Sequence, residues 1–109
     1  MPLPYRHNKV QRVLDSINRN GFIFDKEWIE ILCDIGVIVH KEYGYPILRP
    51  YFNYDRQKIR VHRMIVLCPD GLYVDHINRI REDNRASNLR VIHPKDNRLN
   101  LSKYKQYRY

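Results

Sequence analysis

Residues 73–100, YVDHINRIREDNRASNLRVIHPKDNRLN, constrain the fold more than any other stretch of the chain. Short strand-like runs over 72–77 and 89–92 flank a polar, charged loop over 78–88. The turn sequence Pro69-Asp70-Gly71 precedes the first run, and the second can pair back on it. Pro94 suits the first position of a helix, and Asp96 falls in its first turn, where the helix dipole favours an acid. The pattern predicts a helix over 94–104. Strand, loop, strand and helix in that order bring the first helical turn back over the first strand.

Upstream, Val10, Val13, Leu14 and Ile17 follow the spacing of a helix face over 8–19, with Asn8 able to cap the start and Gly21 the end. Asp25 reads as the N-cap of a second helix over 25–35. Its Trp28, Ile29, Ile31, Leu32 and Ile35 form a broad apolar face, although so much isoleucine also suits a partial strand. Both helices are expected to be scaffold. From Gly36 to Ile59 the pattern changes to short β-like runs, 37–40, 45–48 and 51–54, with 58–61 returning as a further strand. The turn sequences 42–46 and 53–56 break them. Residues 61–67 read either as a short helix or as a continuation of that strand. The expected class is α+β: N-terminal helices over 1–35, a small antiparallel sheet over 36–60, a core over 61–104 and a basic tail over 105–109. At 109 residues, a single domain is expected.

Lys and Arg number 20 against 12 acids, a net charge of +8 that favours a polyanionic partner. Most of the nine tyrosines are expected to pack in the core. Cys33 and Cys68 sit in apolar surroundings without a CxxC, so no structural zinc is expected and reduced, packed thiols are. The N-terminus MPLPYRHNK lacks the apolar core of a signal peptide, and no apolar run nears ~18 residues. The expectation is a cytoplasmic protein with no membrane partner and no small-molecule cofactor.

Asp75 is a hard oxygen ligand of the kind Mg²⁺ or Mn²⁺ takes. His76 beside it is the residue type that serves most often as a general base near pH 7. Neighbours in a strand point to opposite faces, so convergence on one site requires a local twist or a metal beyond the strand end. Asn97, in the first turn of the following helix, can offer a carbonyl oxygen to the same ion. This set suits phosphodiester hydrolysis. Arg79, Arg81, Arg85 and Arg90 would hold the flanking phosphates. Arg49, Arg56, Lys58 and Arg60 on the preceding sheet either join them or only keep an edge strand soluble.

The ordered string VHRMIVLCPDGLYVDHINRIREDNRASNLRVIHPKDNRLN closely resembles the HNH endonucleases of bacteriophages and mobile introns. The shared elements are an HR before an apolar run, P-x-G, V-D-H-I-N, D-N-R, N-L-R and paired asparagines in a helix. The resemblance covers roughly 61–100 and implies a ββα-metal fold for 72–104. It implies one Mg²⁺ or Mn²⁺ per site, held by Asp75 and Asn97, with His76 as general base. Asn88 matches the central asparagine, which braces the loop and helps orient the histidine. Asn84 is expected as a loop or turn residue and Asn100 as a brace within the helix. His62 of the HR element is expected to pack, in preference to a phosphate contact, and His93 to act as a cap or hinge. The zinc-stapled branch of the family is excluded by the missing cysteines. Residues 1–45 match no known pattern.

The implied partner is double-stranded DNA, in a bacterial or phage-infected cell. Many phage members continue into a separate helical DNA-reading module. With this sequence ending at Tyr109, sequence preference is expected either from 1–60, from a homodimer or from a partner, or else to be weak. Two other readings compete with a nuclease: a DNA-binding module of the same fold without catalysis, and a packaging-associated protein with incidental basic charge. Competent residues at Asp75, His76 and Asn97 favour the nuclease.

Overall fold

Helix α1 runs from Tyr5 to Arg19 in the computed structural model, which describes residues 5–50 and 57–95. Asn8 therefore lies inside α1 and not at its start. The C-terminus closes as the sequence predicts. Gly21 takes a left-handed φ of 71°, its N–H donates to the Asn18 carbonyl, and the Phe22 N–H donates to the Ile17 carbonyl. This pair of bonds satisfies the last carbonyls and turns the chain out of the helix.

Helix α2 spans Lys26–Ile35. Asp25 holds the N-cap position, and its carbonyl accepts from Trp28 and Ile29, but its carboxylate makes no capping bond to α2. The apolar face is narrower than expected. Leu32 is fully buried, Trp28, Ile29, Cys33 and Ile35 are half-buried against the core, and Ile31 is exposed. One cluster joins the helices to the sheet: Val13, Ile17, Phe22, Phe24, Leu32, Val39, Leu48 and Val61.

The first strand, β1, is His40–Glu42 and begins later than the run 37–40 suggested. The reason is Val39. Its N–H donates to Ser16 Oγ at 3.0 Å, and its carbonyl accepts from Asn20 Nδ2 at 3.0 Å. Both of its backbone groups are thus committed to α1. Ser16 Oγ in turn donates to the Val13 carbonyl at 2.7 Å.

Strands β1 and β2 (Tyr45–Leu48) form an antiparallel hairpin in which Glu42 faces Tyr45. Tyr43 and Gly44 between them both have positive φ, 53° and 89°, the conformation that suits the right-handed twist of a two-residue hairpin. All four residues of β2 are buried: it is the central strand between β1 and β3 (Ile59–Arg60), Leu48 packs in the cluster beneath the helices, and His62, His76 and Arg81 lie against Tyr45. The run 51–54 and Arg56 lie outside the described residues. After β3 the chain turns directly into α3, Val61–Ile65, so the helical alternative for this stretch is the one adopted. A second antiparallel pair follows, β4 (Tyr73–His76) with β5 (Leu89–Ile92), in the register Asp75 to Arg90 and His76 to Leu89. A 3-10 turn, Ala86–Asn88, leads into β5. Pro94 and Lys95 are helical, and the rest of the helix expected over 94–104 lies outside the described residues. The described residues make an α+β fold with two small antiparallel sheets. Among them no helix is long and apolar enough to cross a membrane.

His62, on α3, is fully buried and stacks on Tyr45 of β2 with ring centroids 5.0 Å apart. It packs, and does not stand at the surface where a phosphate would reach it. Burial pushes its pKa down to about 3, helped by the neighbouring charges of His76, Arg63 and Arg60.

Two stability predictions follow from this core. Ser16→Ala leaves the buried Val39 N–H without its acceptor and should cost about 1–3 kcal/mol in urea unfolding; a loss below about 0.5 kcal/mol would show that the bond is dispensable. For His62, the native pKa of about 3 lies below an unfolded value near 6.5. Between these values the unfolded chain binds a proton that the native state refuses. The His62 contribution to stability is therefore full above about pH 6.5 and declines as pH falls towards 3, by at most about 1.4 kcal/mol per pH unit. His62→Phe, which keeps a ring against Tyr45, should flatten the fall between pH 7 and 5. An unchanged slope would contradict the assignment.

Candidate active site

Asp75 and His76 end β4, and each has its own partners. Asp75 is 5% exposed, and its Oδ2 accepts from Arg90 Nε at 2.8 Å, directly across the β4–β5 pair. His76 is 1% exposed, and its ring tilts against Tyr45 and His62 at centroid distances of 5.7 and 5.5 Å.

The side chain that reaches the His76 ring is Asn84. His76 Nε2 and Asn84 Oδ1 are 2.9 Å apart. Asn84 is fully buried, and its Nδ2 donates to the carbonyls of Arg81 and Glu82 at 3.1 and 3.0 Å. Those acceptors fix which end of the amide is which, so Oδ1 must face the imidazole. An oxygen there accepts, so Nε2 carries the hydrogen and Nδ1 is the basic nitrogen of the neutral ring. Burial lowers the His76 pKa below its ordinary value; the Asn84 bond and the nearby Asp75 and Asp83 carboxylates oppose this. The ring is held neutral near pH 7.

The loop around Asn84 is ordered by its own polar side chains. Asn88 Oδ1 accepts from the Asn78 N–H, and Asn88 Nδ2 donates to Asn78 Oδ1 and to the Asp83 carbonyl. The Ile77 N–H donates to the Asn88 carbonyl at 2.8 Å. Asn88 therefore braces the residues on both sides of the turn, while the atom on the histidine belongs to Asn84. Asp83 accepts from Asn78 Nδ2 and from Arg85 through both Nε and Nη2, and the Arg85 guanidinium holds its carboxyl below the usual range. Arg79 takes a left-handed φ of 66° at the exposed tip.

The loop is also docked on the N-terminal region. Ile23, between α1 and α2, donates to the Glu82 carbonyl and accepts from the Asn84 N–H at 2.8 Å. Asp25 Oδ2 accepts from the Ala86 N–H at 2.8 Å, which explains why that carboxylate does not cap α2. Lys41 pairs with Glu82 at 3.2 Å. Arg81 donates to the Tyr43 carbonyl and lies over the Tyr45 ring. A Cβ at Gly44 would stand 2.8 Å from Arg81 Cδ, so the hairpin turn packs closely on the aliphatic stem of this arginine.

The other cations expected at phosphates are distributed as follows. Arg85 is paired with Asp83, and Arg90 with Asp75. Arg49 and Lys58 both bind Glu42, whose carboxyl they hold below its usual range, Lys58 more strongly. Arg60 is half-buried at the start of α3, and His93 is exposed before Pro94. Asn97 and Asn100 lie outside the described residues. The pattern of residue types singled out Asp75, His76 and Asn88. It did not reveal Asn84's bond to His76, Tyr45 behind the ring, or the anchors Ile23 and Asp25, because each depends on contacts distant in sequence. The D-N-R string was the one local signal.

Among the described residues no three His, Cys, Asp or Glu side chains gather at a candidate metal site. Mg²⁺ is commonly bound through one or two protein ligands plus waters and substrate phosphates, and the Asp75 carboxylate is a hard oxygen donor of that kind.

Residues 60–99 match the family model described as HNH endonuclease. The chain is also similar to an uncharacterized HNH endonuclease of Acanthamoeba polyphaga mimivirus, with 37% identity over 65 residues, covering 54% of this chain. It spans only 32% of that relative's length. No solved structure matches the chain. The matched segment contains the whole β4–loop–β5 unit with Asp75, His76, Asn84 and Asn88, and over that segment the chain is similar to the HNH endonuclease family.

Proposed function

We propose that this chain is a divalent-metal-dependent endonuclease or nickase acting on duplex DNA. The observation that carries the reading is the buried imidazole of His76, held neutral through Asn84 beside the Asp75 carboxylate, inside the segment that matches the nuclease family. On this reading 61–104 form the nuclease core of a single domain, and β4, β5 and the helix beginning at Pro94 form the ββα-metal unit.

His76 would accept a proton from the attacking water at Nδ1, the nitrogen that the Asn84 bond leaves basic; that atom is buried, so the residues over it must open to admit the water. A base placed in this way contributes roughly 10²- to 10⁴-fold. Asp75 and Asn97 would hold Mg²⁺ or Mn²⁺, and an ion bound there would supply positive charge to the leaving oxygen. Arg79, Arg81, Arg85 and Arg90 lie on or beside the loop that presents the base, and Arg49, Lys58 and Arg60 extend the basic surface. Arg49 and Lys58 share Glu42 in partly exposed pairs worth about 0–1 kcal/mol, so a phosphate can compete for them. The Asp75 carboxylate is buried, so Arg90 would release it only to a cation that takes its place. One such site cuts one strand, so a double-strand break requires two copies or two events.

The test is a supercoiled plasmid incubated with Mg²⁺, Mn²⁺ or EDTA. Wild type should yield open circles only with metal, and His76→Ala should lose about 10²-fold or more in rate while shifting DNA in a gel as wild type does. Wild-type cutting by His76→Ala would remove this residue from the mechanism. A DNA shift without cutting by wild type would favour a binding module. The pH profile gives a second check. Burial lowers the His76 pKa, so more of the ring is in its basic form at a given pH, and the acid limb of the rate should bend below pH ~6.5. A bend at 7 or above would contradict the neutral ring.

A further inference from the structure

We infer that Asn84 is a positioning residue for the proposed base, setting the tautomer and the direction of the His76 ring from outside the β4–β5 pair. The inference rests on the proposed function for its kinetic part and on geometry for the rest. An imidazole at the end of a two-stranded pair can rotate about its side-chain bonds and exchange its hydrogen between two nitrogens. A single acceptor fixed in space removes both freedoms, because only the Nε2–H form satisfies it.

Asn84 is built as that acceptor. Its amide cannot flip without placing its oxygen against the carbonyls of Arg81 and Glu82, which its Nδ2 now satisfies. Its backbone cannot slide, because its N–H is bound to the Ile23 carbonyl and the preceding Glu82 carbonyl accepts from Ile23. The side chain is fully buried, so water does not replace it. Tyr45 and His62 pack against the ring. The linker between α1 and α2 thus sets the base through one residue, which gives the N-terminal region a part in catalysis without a contact to substrate.

The deciding measurement is the ring tautomer of His76, read from its ¹⁵N chemical shifts in the full-length protein at pH 7.5, together with plasmid nicking. Wild type should show Nε2–H. Asn84→Ala should give a mixed or Nδ1–H ring, with kcat down by about 10- to 100-fold and KM for DNA within about twofold. Asn84→Asp keeps an acceptor facing Nε2, and its other oxygen, set against the Arg81 and Glu82 carbonyls, must carry a proton there, so the neutral acid replaces one of the two donations. It should retain the Nε2–H ring and recover most of the kcat lost in Asn84→Ala. A wild-type ring in the Nδ1–H form overturns the inference without any variant. So does an Asn84→Ala protein that loses kcat while its ring stays Nε2–H, since the loss would then come from the loop and not the tautomer. If wild type cuts no DNA, the nuclease reading fails separately, and the ring spectra of wild type and Asn84→Asp still decide whether Asn84 sets the tautomer.

Discussion

Ile23 exchanges a pair of backbone hydrogen bonds with the loop, giving its N–H to Glu82 and taking that of Asn84. The rest of the site depends on this strip. The loop over 78–88 is polar and contributes no residue to the main apolar cluster. Ordering each of its residues costs about 1–2 kcal/mol in backbone entropy, and a typical hydrogen bond returns a net of about 1 kcal/mol. Such a loop holds a single shape only when its bonds are dense and anchored outside it. The internal bonds come from Asn78, Asp83, Asn84 and Asn88, and the outer anchors from Ile23, Asp25, Lys41 and Tyr43. The anchors are themselves held by the Phe22–Phe24 pair and the cluster beneath α1 and α2.

Charge in this molecule serves two ends. A surplus of +8 attracts a polyanion, yet many of the cations near the site are occupied by carboxylates of the same chain. Asp83 folds Arg85 back over the loop, and Arg90 covers Asp75. These carboxylates are almost fully buried while the arginines remain about half exposed, so the pairs keep the acids satisfied without hiding the cations. A guanidinium that turned away entirely would leave a buried acid without its counter-charge, so these arginines can meet a phosphate only while they keep the acid paired or another cation replaces them. Arg81 differs, since its contacts with Tyr43 and the Tyr45 ring make it part of the joint between hairpin and loop.

Elements with local signals were readable from the chain. Gly21 ended α1 because left-handed closure is a property of the residue itself, and Gly44 within the turn sequence 42–46 favoured a tight turn for the same reason. The β4–β5 pair was legible from two apolar runs around a polar loop. The late start of β1 was not, because Val39 is claimed by Ser16 of α1 and by Asn20 just beyond it, a helix that periodicity treats as independent. The Asp25 carboxylate was likewise assigned to the nearest helix, whereas it serves Ala86, far along the chain. Within the site, Asp75, His76 and Asn88 were recognisable as types in an order. The division of labour between Asn84 and Asn88 was not, since both are asparagines in one loop and only three-dimensional placement decides which one meets the ring.

His62 and His76 stand 5.5 Å apart with Tyr45 against both rings. Two imidazolium ions at that distance would repel each other in a region poor in water, and desolvation alone already disfavours either charge. The packing of α3 on β2 therefore does more than fill the core, because it keeps both rings in the uncharged form. A base must be unprotonated to act, so the same burial that makes the native state intolerant of acid also readies His76. Stability and the proposed chemistry are coupled through one cluster. A substitution that admits water around Tyr45 would weaken both together, whereas a substitution at Asn84 can separate the direction of the ring from its burial.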